Sequence, residues 1–182
     1  MLIYMALKPV VFNDGSDFFA DLATKYKKHD FGLFILAPSG AGKTHYIKSQ
    51  SEKDWIDGDY LWEDSNAHPD FSEKWWTQGI DVIRRVDQRS DVITLEAKDQ
   101  GYWVMGASNY WLKPDALVIP DWDVHVGYIK QREENNYDGG ATSDALGQVK
   151  EHIETMLKWH EEQGVPVYKS IEEAVNNLTS VQ

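Results

Sequence analysis

"FILAPSGAGKTHYI", residues 34–47, joins an apolar run to a turn of small residues and then to Lys43-Thr44. The run begins earlier, as "FGLFILA" (Phe31–Ala37), and ends at Pro38. Short, apolar throughout and bounded by polar residues, it reads as a strand buried on both faces of a parallel sheet. Gly40 and Gly42 let the chain turn tightly after it, and a helix is predicted from Lys43 to about Lys53. A strand, a glycine-rich turn and a helix in that order make an anion receptor. The turn's N–H groups point inward and the helix N-terminus adds positive potential.

Outward from this unit, apolar runs alternate with segments of helical character, the pattern of an α/β domain. A helix is expected over Ser16–Lys28. "DWIDGDYLW" (Asp54–Trp62) reads as a second strand ending in an acidic turn, with helix and loop following through Phe71–Arg89. "DVITLEA" (Asp91–Ala97), "YWVMGAS" (Tyr102–Ser108) and "ALVIPDW" (Ala116–Trp122) are strand-like. Helices are expected around Val124–Glu134 and over Gln148–Gln163, the latter stopped by Gly164. Between them "NNYDGGATSDALG" (Asn135–Gly147) predicts a mobile loop. "VPVYKS" (Val165–Ser170) closes as a strand and "IEEAVNNL" as a short helix. With neither repeat nor linker, residues 1–182 form one expected domain.

No window reaches the ~18 consecutive apolar residues of a membrane span, and "MLIYMALKPVVFNDG" lacks a basic flank and a cleavage pattern. A soluble, cytoplasmic protein without membrane partners is expected. Zero cysteines exclude disulfides and thiolate metal sites. The six histidines show no ligand grouping, and His152 and His160 are too far apart on one helix to share an ion. A net charge of −12 disfavours nonspecific binding to nucleic acid, although a local basic pocket is compatible with it.

Ala37-Pro38-Ser39-Gly40-Ala41-Gly42-Lys43-Thr44 matches the nucleotide-binding P-loop except that alanine replaces the leading glycine. That position needs a small residue where the strand turns, which Ala37 supplies. Lys43 would reach the β- and γ-phosphates and Thr44 would offer its hydroxyl to Mg²⁺. The chain resembles the P-loop kinases of the nucleoside monophosphate kinase and adenylylsulfate kinase type, and the 5′-hydroxyl kinase domain of polynucleotide kinases. The resemblance covers about Phe31 to Val175, and it implies a three-layer P-loop NTPase fold with a mostly parallel central sheet and a glycine-rich lid at about 132–150.

Three features extend the resemblance. "IDGDYL" (Ile56–Leu61) is similar to an acidic pair that accepts or orients the acceptor's proton, or helps hold Mg²⁺. Asp59 is then the first choice of general base, and Asp57 the second choice and a metal ligand; the plain alternative is an Asp-Gly turn. "VHVGYIKQREENN" (Val124–Asn136) resembles the passage into the lid, where Arg132 would face the transferring phosphoryl group. The alternative is a solvated arginine at a helix end, and only Lys130 and Lys150 flank it. "VPVYKSIEEAV" (Val165–Val175) resembles the terminal loop that meets the base, with Lys169 and Ser170 as weak side-chain candidates. Glu96 and Asp121, at the ends of apolar runs, could each order Mg²⁺ through water.

The acceptor pocket is expected between the second strand and Phe71–Arg89, where Trp76 could stack on a base and Arg84 or Arg85 could hold a phosphate. An ordinary amphipathic helix carrying Trp76, Ile80 and Ile83 is the competing reading. The expected function is an ATP- and Mg²⁺-dependent kinase acting on a hydroxyl of a small acceptor such as a nucleoside or nucleotide. Rivals are a polynucleotide or modified-base hydroxyl kinase and a P-loop NTPase or nucleotide-binding module without kinase activity. The sequence leaves the acceptor and the oligomeric state open.

Overall fold

The computed structural model describes residues 18–50, 53–63, 75–137 and 140–180. Helix α1 (Phe18–Lys25) precedes β1 (Leu33–Leu36), whose four residues are all buried, as an apolar run with no polar face requires. The glycine-rich loop then leads into α2 (Lys43–Gln50). Next come β2 (Trp55–Asp57), α3 (Gly58–Glu63), a 3-10 turn (Trp75–Thr77), α4 (Ile80–Asp99), β3 (Trp103–Gly106) and β4 (Ala116–Val118). The chain continues through α5 (Trp122–Glu134), a second 3-10 turn (Ser143–Ala145), α6 (Leu146–Glu162), β5 (Val167–Tyr168) and α7 (Ile171–Thr179).

The five strands form one all-parallel sheet in the order β2-β3-β1-β4-β5. Alternate residues of β1 point to opposite faces and feed two cores. Phe34 and Leu36 pack with Leu61, Ile93, Ile153 and Met156 beneath α3, α4 and α6. Leu33 and Ile35 pack with Ile47, Ile171 and Val175 beneath α2 and α7. Helices therefore cover both faces of the sheet. The chain leaves β1 toward β3 and β2 on one side and later returns to β4 and β5 on the other. That reversal leaves a crevice at the carboxyl end of β1, where open parallel sheets bind ligands.

Several boundaries differ from expectation. Asp91–Ala97, read as a strand, is the second half of α4. Its β-branched residues suggest a strand, but buried Val86, Ile93, Thr94 and Ala97 follow helical spacing along a 20-residue helix, and packing on the sheet overrides propensity. Glu96 consequently sits exposed on a helix and not at a strand end. The second strand stops at Asp57 because α3 starts at Gly58. Of the expected helical stripe, Trp76 lies in a 3-10 turn ahead of α4 and Ile80 is 58% exposed. The expected helices over Ser16–Lys28 and Lys43–Lys53, the segment Phe71–Arg89 and the loop 135–147 each fall partly outside the described residues.

The ends of α6 and α7 follow side-chain chemistry. Gly164, at φ 70°, ends α6 while its N–H bonds Glu161 O at 3.0 Å and that of Val165 bonds His160 O at 3.0 Å, a Schellman pair. Ser170 Oγ accepts the Glu173 N–H at 3.1 Å to start α7, and Glu173 Oε2 accepts the Lys169 N–H at 3.1 Å.

The link from β3 to β4 carries no helix, and the Asp91 carboxylate anchors its middle. Asp91 Oδ2 accepts the N–H groups of Tyr110, Trp111 and Leu112 at 2.8, 2.6 and 2.9 Å. Asp91 is 1% exposed, and burial holds its pKa above the ordinary carboxylate value even against three donors. Asp91→Ala strips three amides of their acceptor at about 1–3 kcal/mol per unsatisfied buried group. Urea unfolding should show a loss of about 3–4 kcal/mol. A loss under about 1 kcal/mol would mean that the link does not depend on this carboxylate.

Candidate functional site

The loop at the end of β1 is bent by glycines at positive φ, Gly40 at 82° and Gly42 at 95°. The Ala37 N–H bonds Gly106 O at 2.8 Å, which ties the start of the loop to the end of β3. The Ala41 N–H bonds Pro38 O at 3.1 Å, and the Tyr46 N–H bonds Gly42 O at 2.9 Å as α2 begins. Lys43 and Thr44 form the first turn of α2, where backbone N–H groups have no intrahelical acceptor and attract anions.

Lys43 is 8% exposed and its ammonium donates to Ala37 O at 2.8 Å and Pro38 O at 3.4 Å. Burial lowers its pKa; the carboxylates of Asp59 and Asp57 oppose this, and Arg132 adds to it. The lysine is thus held over the loop facing an acidic pair. Thr44 Oγ1 donates to Asp57 Oδ2 at 2.9 Å, and Asp57 Oδ1 accepts the Asp59 N–H at 3.1 Å. The Asp-Gly-Asp spacing has a steric reason as well: a Cβ on Gly58 would lie 2.9 Å from Met105 O, so α3 can begin against β3 only with glycine there.

Helix α5 closes the loop from the other side. His125, Ile129 and Arg132 share one face at i, i+4 and i+7. His125 is fully buried and its Nε2 lies 2.8 Å from Ser39 O, which can only accept, so Nε2 carries the proton. Burial keeps the ring neutral by lowering its pKa, and Lys43 and Arg132 act in the same direction. Arg132 Nη1 donates to Ser39 Oγ at 3.5 Å and Nη2 to Ala141 O, while the guanidinium lies 4.9 Å from the Tyr137 ring centroid. The Ala141 N–H donates to Ser39 Oγ at 3.0 Å. Arg132 Nε is buried and has no partner among the described residues, a donor suited to an anion. The glycine-bearing segment after α5 is therefore latched to the loop through Ser39.

The structure brings Pro38–Thr44, Asp57, Asp59 and Arg132 together. Arg84 and Arg85 sit exposed on α4, and Trp76 is half-buried in the turn before it. Asp121 precedes α5 and pairs with Lys169 at 3.0 Å on the surface. Lys130 is exposed on α5, and Lys150 lies 5.7 Å from the Trp122 ring centroid. Ser170 is occupied capping α7. The sequence reading omits His125 and the linking role of Ser39; the i, i+4, i+7 spacing leading to Arg132 is a signal for His125, and no local signal marks Ser39. Among the described residues no group of three or more His, Asp or Glu is arranged to hold a metal, so a cation here would need ligand oxygens besides Thr44 and Asp57.

Gly40 is where backbone and packing coincide. A Cβ there would lie 2.8 Å from Ile129 Cγ1 and 3.3 Å from His125 Nε2, on a residue whose φ disfavours any side chain. Gly40→Ala should lose about 2 kcal/mol in denaturant melts, by left-handed strain and displacement of α5. Gly127, exposed on α5 with open space at its Cβ, is the control: Gly127→Ala should gain up to about 1 kcal/mol. Equal effects at the two sites would refute the packing account.

A scan against family models, a search of curated proteins and a search of solved structures each found no match.

Proposed function

We propose that the protein is a P-loop kinase that uses ATP and Mg²⁺ to transfer the γ-phosphoryl group to a hydroxyl of a small acceptor. The observation that carries this reading is the convergence of Lys43, the Thr44–Asp57 pair, Asp59 and Arg132 on one glycine-rich loop at the crevice end of β1. A loop of this shape needs only bound nucleotide to explain it. The acidic pair across from Lys43 and the guanidinium on the opposite side supply what transfer requires in addition.

In this reading the triphosphate lies along Gly40–Thr44, held by backbone N–H groups and the start of α2. Thr44 and Asp57 would hold Mg²⁺, which when bound offsets the charge on the phosphate oxygens. Asp59 takes the proton of the acceptor hydroxyl as its oxygen attacks the γ-phosphorus; the bond to the β-phosphate oxygen breaks and ADP departs. Lys43 and Arg132 stabilise the charge that develops on the transferring group. The segment at 132–150 acts as the lid, and its hold on Ser39 keeps water from competing as acceptor.

The test is acceptor-dependent ADP release across nucleosides, nucleotides, sugars and short DNA. At least one hydroxyl-bearing class should raise release about tenfold or more over the rate with water alone. If nucleotide binds and no acceptor raises release, the protein is an NTPase or a binding module. Short DNA as the sole effective acceptor would identify a polynucleotide kinase.

A further inference from the structure

Helices α4 and α6 and residues 108–109 line a cleft of about 150 Å³. A cavity of that order admits one benzene-sized ring. One edge of it lies a short way along the chain from the residue that ties down the start of the glycine-rich loop. Ser108 is two residues past Gly106, whose carbonyl accepts the Ala37 N–H, and two extended residues span at most about 7 Å. Met105, which pairs with Asp57 in the sheet, lies just before it.

The chemistry of the lining is selective. Asp87 is 7% exposed, and its Oδ1 accepts the Ser108 hydroxyl at 2.6 Å, which leaves Oδ2 as an acceptor. Met156 and Trp159 supply apolar and aromatic surface, with His152 and Thr155 exposed at the mouth. Asn109 is committed to the framework: its Nδ2 donates to Leu112 O at 2.8 Å, and its Oδ1 lies 3.3 Å from His160 Nε2. Burial lowers the His160 pKa to about 4, so its ring stays neutral behind the wall. Burial also raises the Asp87 pKa to about 6, low enough for the carboxylate to dominate at neutral pH. Among the described residues that line the cleft none is a lysine or arginine, so these residues offer no such cation to a phosphate or carboxylate.

Resting on the kinase reading, we propose that this cleft seats the acceptor's non-reacting end: a single uncharged ring presenting N–H or O–H donors to Asp87 and a flat face to Trp159. Nucleoside bases and sugar rings share that chemistry. This differs from the expectation that Trp76 and Arg84 or Arg85 grip the acceptor.

The experiment measures phosphoryl transfer to unphosphorylated nucleosides and to monosaccharides in parallel, together with ATP affinity, for wild type, Thr155→Trp and Asp87→Asn. Thr155 is exposed, so tryptophan there closes the mouth without touching the core. Thr155→Trp should raise the acceptor KM at least about tenfold, and Asp87→Asn should lower kcat/KM about 10- to 100-fold by loss of a charge-assisted hydrogen bond. ATP affinity should stay within about twofold of wild type in both, since neither residue lies on the phosphate loop. Whichever arm responds names the ring. Transfer that survives both substitutions overturns the cleft assignment and leaves the kinase reading standing. ATP binding with no transfer to any acceptor overturns both. Transfer confined to phosphorylated acceptors overturns the uncharged ring alone.

Discussion

Lys43→Ala should reduce phosphoryl transfer about 10²- to 10³-fold while the fold survives. The buried ammonium is held over the glycine-rich loop by backbone carbonyls, bonded to Ala37 O and Pro38 O. On the kinase reading its removal would leave Asp57 and Asp59 facing the triphosphate without the lysine, so repulsion would add to the lost stabilisation. The stability cost is limited to two carbonyls losing a donor, about 1–2 kcal/mol. Steady-state transfer and a denaturant melt on the same sample separate the effects. Lys43→Ala with transfer within about tenfold of wild type would remove the lysine from the mechanism.

Asp59→Asn should lower kcat about 10²- to 10⁴-fold if the acceptor is a hydroxyl, the range for loss of a general base. Asparagine keeps size and polarity, so the N–H of residue 59 can still reach Asp57 Oδ1 and α3 can still begin. ATP affinity should change little. A phosphate acceptor carries its own charge and needs no base, so the same variant would then retain nearly full activity. Asp57→Asn is a different lesion, because Asp57 holds the Thr44 hydroxyl. It should raise the Mg²⁺ concentration needed for half-maximal rate. Comparing the two variants on one acceptor assigns the carboxylates, and identical Mg²⁺ profiles would contradict their division of labour.

What could be read in the sequence was local. The β1-loop-α2 unit is decided within about a dozen residues, by an apolar run, two glycines and Lys-Thr, and the structure places all three where that reading puts them. Helices α5, α6 and α7 were legible in outline, and Gly164 marked the end of α6; the Ser170 cap of α7 was not read. Asp91–Ala97 misled because its β-branched residues favour a strand locally while its buried positions serve a helix; the deciding contacts are with a sheet distant in sequence. The acidic pair was visible, but the end of β2 at Asp57 was not, since it depends on Gly58 fitting against Met105.

The less legible part of the site consists of contacts across long sequence separations. Ser39 meets His125, Arg132 and Ala141 through bonds spanning 86 to 102 residues, and no spacing within 34–47 announces them. Asp87 and Ser108 lie on separate elements and acquire meaning only when α4 and α6 pack on one face. Motifs expose chemistry whose geometry is set within one turn. They are silent about a carboxylate whose partner arrives from another part of the chain.

If the protein is the kinase proposed above, the phosphoryl group goes to an organic hydroxyl and not to water. The direct measurement is the fate of label from ATP carrying a labelled γ-phosphoryl group, followed in the presence of the acceptor that most stimulates ADP release. A hydroxyl kinase should leave the label in a phosphate ester of the acceptor, formed in step with ADP and lost in Asp59→Asn. Label recovered wholly as inorganic phosphate, at a rate indifferent to acceptor, would contradict it.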